Sequence, residues 1–359
     1  MEHLQANSIY IGMDLHKKTS TLVVKERFGR VLEKKKLDTD RGEITKFLSP
    51  YKGAELAVEP VSQWYVYADL IQQLGINVHL AHPMKVKAIA FAKVKTDSID
   101  AGVLCDLLRS DLLPEAYFST KEVRAWKETA RFRMSLVQMQ TMVKNKIHSI
   151  LFKNALICPH DSVFGTKGRQ WLKEIELPEP FNFHLEENLK LLHDIGVRIG
   201  EAEKEVILKV NKHPQAMLLC TIPGIGYITA LTIVAEIGDI HRFRSAKKLM
   251  GYAGLVPSTY ASGDTVRHGK ITRLGSMWLR TALIETAHRQ GRSKKSGSLR
   301  DFHEHIKEKK DGKTAAVATA RKLCAVIWRM LMDNRPFEKY SPRRDSKTLT
   351  ICSSSPLTR

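Results

Sequence analysis

Long apolar runs are missing from this sequence. No stretch approaches the roughly 18 consecutive apolar residues of a membrane-spanning helix, so no membrane partner is expected. A basic-then-apolar secretory leader is missing too: Met1 to Asn7 is polar and leads straight into a strand-like run. Cysteine is scarce, with 5 residues (Cys105, Cys158, Cys220, Cys324, Cys352), odd in number, widely spaced and without a C-x-x-C pair. That pattern supports neither a disulfide framework nor a zinc site, and the expectation is a cytoplasmic protein with reduced thiols. No G-x-S-x-G elbow occurs, and no histidine pattern supplies a hydrolase-type triad. Acidic residues are outnumbered, 38 Asp+Glu against 58 Lys+Arg, for a formal net charge of +20. Such an excess speaks of partners and not of fold: it favours polyanions, nucleic acid first and acidic membrane surfaces second.

What is present is a globular chain of 359 residues, 43% hydrophobic, long enough for two or three domains. In the first hundred residues strand and helix signals alternate. Ser8 to Leu15, Thr21 to Lys25 and Arg30 to Leu37 read as three strands in quick succession, an antiparallel meander with a turn at Gly29. A short helix over Glu43 to Leu48 precedes a strand at Ala54 to Val58, a helix at Gln63 to Leu74 and a strand at Ile76 to Leu80. Strand, helix, strand at this spacing implies parallel pairing in a mixed sheet. Ser98 to Leu108 reads as a helix with Ile99, Val103 and Leu107 on one stripe.

Two long helices follow, Lys121 to Leu151 and Glu186 to Lys212, joined through a Pro- and Gly-containing stretch between Pro159 and Pro180. The second carries a short heptad seam at Leu192, Ile195, Ile199, Ala202 and Val206, which either stops at Lys209 or shifts to Val210. An antiparallel hairpin or an oligomer contact suits such a pair. Beyond Glu338 the tail is rich in Ser, Pro, Arg and Lys and is expected to be disordered.

Four carboxylates stand out. Asp14 ends the first strand in Gly12-Met13-Asp14, and Glu59 ends another in Ala57-Val58-Glu59-Pro60. A carboxylate at the edge of an apolar strand is costly unless it has a partner or faces a site. The C-terminal strand ends of a parallel sheet form its functional edge, where the two acids would converge. Asp97 and Asp100, at i, i+3 in Lys95-Thr96-Asp97-Ser98-Ile99-Asp100-Ala101, share one face of a helix start. Hard oxygen ligands grouped this way suit a pair of Mg²⁺ ions acting on a phosphodiester. Without cations they would repel one another in a low dielectric. Taken singly, Asp97 reads as a helix N-cap, and Asp14 and Glu59 as strand-end residues bonded to a loop.

The second half carries Gly254-Leu255-Val256-Pro257-Ser258-Thr259-Tyr260-Ala261-Ser262-Gly263. A glycine after Ser262 lets the backbone bring its hydroxyl close to a phosphate. Arg267, Lys270, Arg273 and Arg280 follow at spacings suited to phosphate oxygens. Serine is a weak nucleophile unless a base, a metal or a cationic surround activates it; alone, Ser262 reads as a turn residue. Pro223-Gly224-Ile225-Gly226 resembles a helix-hairpin-helix hairpin, whose backbone N–H groups bind phosphate, and equally fits a glycine-rich helix–helix turn.

Together these motifs resemble the insertion-sequence transposases that pair an N-terminal RuvC-like DEDD domain with a C-terminal serine transposase domain. These are relatives of the Piv and MooV DNA invertases, also called bridge-RNA recombinases. The likeness runs from about Ile9 to Phe337 and rests on Gly12-Met13-Asp14, Glu59-Pro60, Lys95 to Ala101, and Gly254 to Gly263. It implies an α/β plus α architecture: an RNase H/RuvC-like mixed sheet domain (1–118), a long helical coiled-coil segment (119–213), a mainly helical C-terminal transposase domain with a helix-hairpin-helix-like motif (214–337), and a basic disordered tail (338–359). It also implies that Asp14, Glu59, Asp97 and Asp100 bind Mg²⁺ while Ser262 attacks DNA to form a phosphoserine intermediate. Gly224, Gly226, Arg267, Lys270, Arg273 and Arg280 would contact nucleic acid. The implied partners are element-end and target DNA, a structured non-coding guide RNA, and further copies of the chain in a dimer or tetramer with composite active sites. Two other readings remain: a hydrolytic RuvC-like nuclease such as a junction resolvase, and a non-catalytic nucleic-acid-binding derivative of a transposase.

Overall fold

The computed structural model describes residues 8–89, 96–262, 265–293 and 297–337, leaving the tail expected to be disordered outside the described residues. The chain divides into two compact units, Met1–Ser119 and Thr120–Arg359.

In the first unit β1 (Ile9–Leu15), β2 (Thr19–Glu26) and β3 (Val31–Asp38) form the antiparallel meander, followed by α1 (Arg41–Leu48). Asp40 caps α1 by accepting from the Gly42 and Glu43 N–H groups. β4 (Glu55–Val58), α2 (Trp64–Gln73) and β5 (Asn77–Leu80) then add two strands parallel to β1, giving the order β3-β2-β1-β4-β5. α3 (Pro83–Ile89) and α4 (Asp97–Arg109) complete the unit. The two-residue period of a strand sorts the side chains into faces. Ile11, Met13 and Leu15 join Leu22, Val24, Leu56 and Val58 in a core with Ile44, Phe47, Leu48, Tyr67 and Ile71 of α1 and α2. Tyr10, Gly12 and Asp14 therefore face the other way, toward α4.

Of the stripe expected on α4, Leu107 is buried and Val103 packs against the same cluster, but Ile99 does not join them. Ala101, Leu104, Cys105 and Leu107 are buried, whereas Ile99 is exposed. The helix buries its small residues because its backbone lies directly on β1, where a larger stripe would hold it away.

In the second unit α5 (Lys121–Lys153) and α7 (Phe181–Asn211) pack as an antiparallel hairpin. Val143, Ile147, Ile150 and Leu151 meet Leu185, Leu192 and Ile195 at one end, and Ala130 shares a core with Val206 and Val210 at the other. Val210 is fully buried and Lys209 only partly so, and the seam shifts by one residue and continues. The connection holds a helix of its own, α6 (Thr166–Glu174), which seats Leu172 in the distal core.

α8 (Pro214–Cys220), α9 (Tyr227–Ile237) and α10 (Ala246–Tyr252) come next, then a hairpin of β6 (Pro257–Ser262) and β7 (Thr265–Ile271), and α11 (Met277–Arg292), α12 (Ser298–Lys309) and α13 (Gly312–Asp333). α9 is buried along nearly its whole length, from Thr229 to Ile237. One of those residues is a carboxylate. Glu236 accepts from Arg131 of α5 at 2.7 and 2.8 Å and from the Ser276 hydroxyl at 2.9 Å. Lys127 of α5 is buried beside this pair, and burial lowers its ammonium pKa to about 8.

Two predictions follow from this polar core. Glu236→Ala strands buried positive charge, and urea unfolding should show a loss of about 3 kcal/mol, the low end for breaking a buried pair because Arg131 is partly exposed. Lys127 binds its proton less tightly folded than unfolded, so its charge opposes folding below pH 8 and that penalty fades as pH rises toward the unfolded pKa of about 10.5. Lys127→Met should therefore raise stability at pH 7, and the gain should shrink between pH 8 and 10.5; an advantage independent of pH would contradict the assignment.

Candidate functional site

The strand ends of β1, β4 and β5 lie along one edge of the parallel part of the sheet. Asp14 sits at that edge, its side chain 15% exposed. Met13 pairs with Val58, and Ala57 packs on the α4 side, so the alternation continued by one residue sets Glu59 on the same face as Asp14. α4 brings the other two acids. Thr96, not Asp97, is its N-cap, accepting from the Ile99 N–H; Asp97 and Asp100 occupy the first turn. The extended conformation of Thr96 suits the cap position.

Gly12 makes this meeting possible. A Cβ at Gly12 would run into the Ala101 carbonyl and come within 2.7 Å of the Cys105 nitrogen. The helix is clipped down further along: the Cys105 thiol donates to the Tyr10 carbonyl at 3.2 Å, and Lys25 of β2 reaches Asp106 at 2.7 Å. α4 thus lies on β1 with no side chain between, and its acidic turn falls beside Asp14.

Two basic side chains partner the cluster. His16 Nε2 lies 3.1 Å from Asp14 Oδ2 and 3.8 Å from Asp97 Oδ1, and Lys36 Nζ donates to Asp97 Oδ2 at 2.9 Å. Ligand atoms of Asp14, His16 and Asp97 all fall within 4.8 Å of one another. Lys36 reaches the site because it pairs with Thr21, which pairs with Asp14, in one row across three strands. The His16 carbonyl accepts from Thr39 Oγ1 at 2.8 Å and from Gln63 Nε2 at 2.7 Å, which fixes the turn after β1. The Asp14 carboxyl is pushed above its ordinary pKa, chiefly by burial; His16 opposes this, and the charges of Asp100 and Asp97 add to it. The Asp97 carboxyl is held below its ordinary value by the Lys36 hydrogen bond and charge.

The sequence reading did not place His16 or Lys36 at this site, nor Gly12 as its spacer. His16 was legible as the residue two beyond Asp14. Lys36 was not, because it is 61 residues from Asp97 and the register alone brings it there.

In the second unit Ser262 is the last residue of β6, its backbone paired with Thr265; its side chain lies outside the described residues. Arg267 and Lys270 of β7 and Arg273 beyond it are exposed. Arg280 is committed to the fold: its Nη1 donates to the carbonyls of Ala253 and Arg273 at 3.2 Å each. Gly224 takes φ +86 in the turn between α8 and α9, and Gly226 is the N-cap of α9. Arg289 and Gln290 of α11 close over that turn through the Gly224 and Pro223 carbonyls. The structure groups Asp14, Asp97 and Asp100 with Glu59 on their edge, and sets the Ser262 hairpin in the other unit.

A mixed sheet with clustered acids at its C-terminal edge, followed by a basic helical unit, is the frame of a polynucleotide-processing enzyme. Residues 11–153 match the family model described as Transposase, of the DEDD IS110 type, and residues 216–304 match that described as Transposase IS116/IS110/IS902 family. The chain is 27% identical over 339 residues to the transposase for insertion sequence element IS1328 of Yersinia enterocolitica, covering 93% of this chain and 99% of that one. It is 25% identical over 327 residues to a probable family 20 transposase of Pseudomonas aeruginosa, covering 89% and 96%. A pilin gene-inverting protein of Moraxella bovis is 30% identical over 181 residues, 48% of this chain and 55% of that protein. The chain is a DNA transposase. Its two matched segments are those of IS110/IS116/IS902-type transposases, the N-terminal one of the DEDD type.

That domain type points to divalent-metal use, and the residues fit such an ion. The acids supply hard oxygen donors, and the charges of Asp97 and Asp100 raise the Asp14 carboxyl pKa. The side chains that hold these acids, His16 and Lys36, are exposed.

Gly12→Ala should push α4 off β1. The expected result is a stability loss of about 1–3 kcal/mol together with weakened divalent-cation affinity, read by thermal melts with and without Mn²⁺. Unchanged metal affinity in a folded Gly12→Ala protein would sever the link between that close approach and the acid cluster.

Proposed function

We propose that this transposase cleaves and rejoins DNA with a Mg²⁺-binding tetrad of Asp14, Glu59, Asp97 and Asp100 and with Ser262 as nucleophile. The observation that carries the reading is the convergence of the acidic first turn of α4 on Asp14 at the C-terminal edge of β1. The boundaries proposed for it are a RuvC-like domain at 1–118, a helical segment at 119–213 and a serine transposase domain at 214–337.

In the proposed reaction the Ser262 hydroxyl oxygen forms a bond to phosphorus as one phosphorus–deoxyribose oxygen bond breaks. The hydroxyl proton goes to solvent or a nearby base, and the departing deoxyribose oxygen takes one up, so charge and atoms balance. The intermediate is a phosphoserine ester. Attack by a deoxyribose hydroxyl from another strand reverses the chemistry, restores Ser262 and joins new DNA. A divalent cation on the four carboxylates supplies Lewis-acid charge to the phosphoryl oxygens. The chain's own residues do the rest: Asp14 and Asp97 give up His16 and Lys36 as the site loads, while Arg267, Lys270 and Arg273 offer exposed positive charge to flanking phosphates. Gly224 and Gly226 would meet the backbone at the α9 N-terminus.

The remaining parts of the reading rest on family likeness and charge. A structured guide RNA held with donor and target DNA accords with the net charge of +20. Composite sites, in which Ser262 of one copy serves the acids of another in a dimer or tetramer, accord with Ser262 and the acids lying in separate compact units.

The test is a denaturing gel of labelled DNA spanning the genomic flanks of the coding segment, incubated with protein, Mg²⁺ and transcripts of those flanks. The wild type should trap DNA on protein. Ser262→Ala should abolish both adduct and recombination, and Asp14→Asn or Asp97→Asn should do so with DNA binding retained. Cleavage without any adduct, undiminished in Ser262→Ala, would establish the hydrolytic nuclease instead; full DNA binding with no strand breakage under any condition would establish the non-catalytic derivative.

A further inference from the structure

The hairpin that carries Ser262 leaves the core at a single root. Ala253, Gly254 and Leu255 are buried, while Ser258, Thr259 and Tyr260 further along the same leg are exposed. The direction of the hairpin is therefore set where its two legs enter the fold. Arg280 Nη1 bonds one carbonyl from each leg, Ala253 before β6 and Arg273 after β7. Gly254, at φ +66, lets that guanidinium in: a Cβ there would sit 2.6 Å from Nη1. The exit leg is fixed next by Ser276, whose N–H donates to the Tyr252 carbonyl at 2.9 Å.

Ser276 then does two things with one hydroxyl. Its oxygen accepts from the Leu279 N–H at 3.1 Å, which caps α11, and its proton goes to Glu236 Oε2 at 2.9 Å. Capping needs only the acceptor. The donated bond serves another end: it ties the root of the hairpin to a carboxylate that Arg131 of α5 holds from the opposite side. Replacing the whole Arg131–Glu236 pair by well-packed apolar residues would cost the fold little, because buried ion pairs are weak sources of stability. Retaining the pair makes sense where it fixes geometry.

We propose that Glu236 is a positioning residue for strand transfer, acting through Ser276 to fix the root, and so the aim, of the Ser262 hairpin. The proposal rests on Ser262 being the nucleophile. Displacing a reacting group by about 1 Å slows a reaction on the order of a hundredfold without touching substrate affinity.

Ser276 variants test it, because Glu236 variants expose the fold to an unpaired buried charge. Ser276→Thr keeps both the cap and the donated bond. Ser276→Asp keeps the cap and sets a carboxylate against Glu236. Ser276→Ala loses both. Single-turnover adduct formation on the flank DNA should fall on the order of a hundredfold in Ser276→Ala and Ser276→Asp, with DNA affinity unchanged, and recover in Ser276→Thr. Melting temperature, measured alongside, reads the capping role separately. Wild-type adduct rates in Ser276→Asp would overturn the proposal, as would a rate loss in Ser276→Ala matched by an equal loss of DNA binding. Ser262→Ala run in parallel separates the two claims. If it still forms adduct, the nucleophile is misassigned; if it does not and Ser276→Asp reacts normally, only the positioning role fails.

Discussion

The first unit depends on one bare contact, the backbone of α4 lying on β1 at Gly12. No side chain fits between the two. Because the spacing is that small, the acidic first turn of α4 reaches the Asp14 carboxylate at the end of β1. Burial, and after it the charges of Asp100 and Asp97, then raise the affinity of Asp14 for a proton. His16 and Lys36 hold the Asp14 and Asp97 carboxylates from exposed positions.

The second unit is organised differently. Its buried charge is structural: Arg131, Glu236 and Lys127 meet inside a helical core, and Ser276 connects that core to the start of α11. Around this point the chain changes from buried helix to exposed hairpin. The basic residues beyond it, Arg267, Lys270 and Arg273, face solvent, whereas Arg280 is spent on holding the hairpin legs together. One arginine in the series thus has a role that its spacing did not reveal.

Much of the first unit was legible in the residues because strand and helix periods leave strong marks. The alternation at Ile9–Leu15 and the strand–helix–strand order gave the sheet and its parallel core. On α4 the expected Leu107 is buried, but a helix pressed on a glycine also buries Ala101 and Cys105 and leaves Ile99 outside. Taken singly, Asp97 could pass for a cap, because Asp and Thr share that propensity, and only the backbone angles at Thr96 decide between them. The β6–β7 pairing escaped notice because Ser, Gly and basic residues mask a two-residue period over so short a span. The Lys36 contact and the Arg131–Glu236 bond join residues 61 and 105 apart, and no local pattern records them.

Iron-directed cleavage of the polypeptide tests the central claim, that the acids around Asp14 gather on one divalent cation. With Fe²⁺ in place of the native ion, plus ascorbate and peroxide, hydroxyl radicals cut the chain nearest the metal. The account predicts cuts confined to the end of β1, the residues following β4 and the first turn of α4, suppressed by excess Mg²⁺ and absent in Asp14→Asn. Cuts scattered over the chain, or a pattern unchanged in Asp14→Asn, would contradict it.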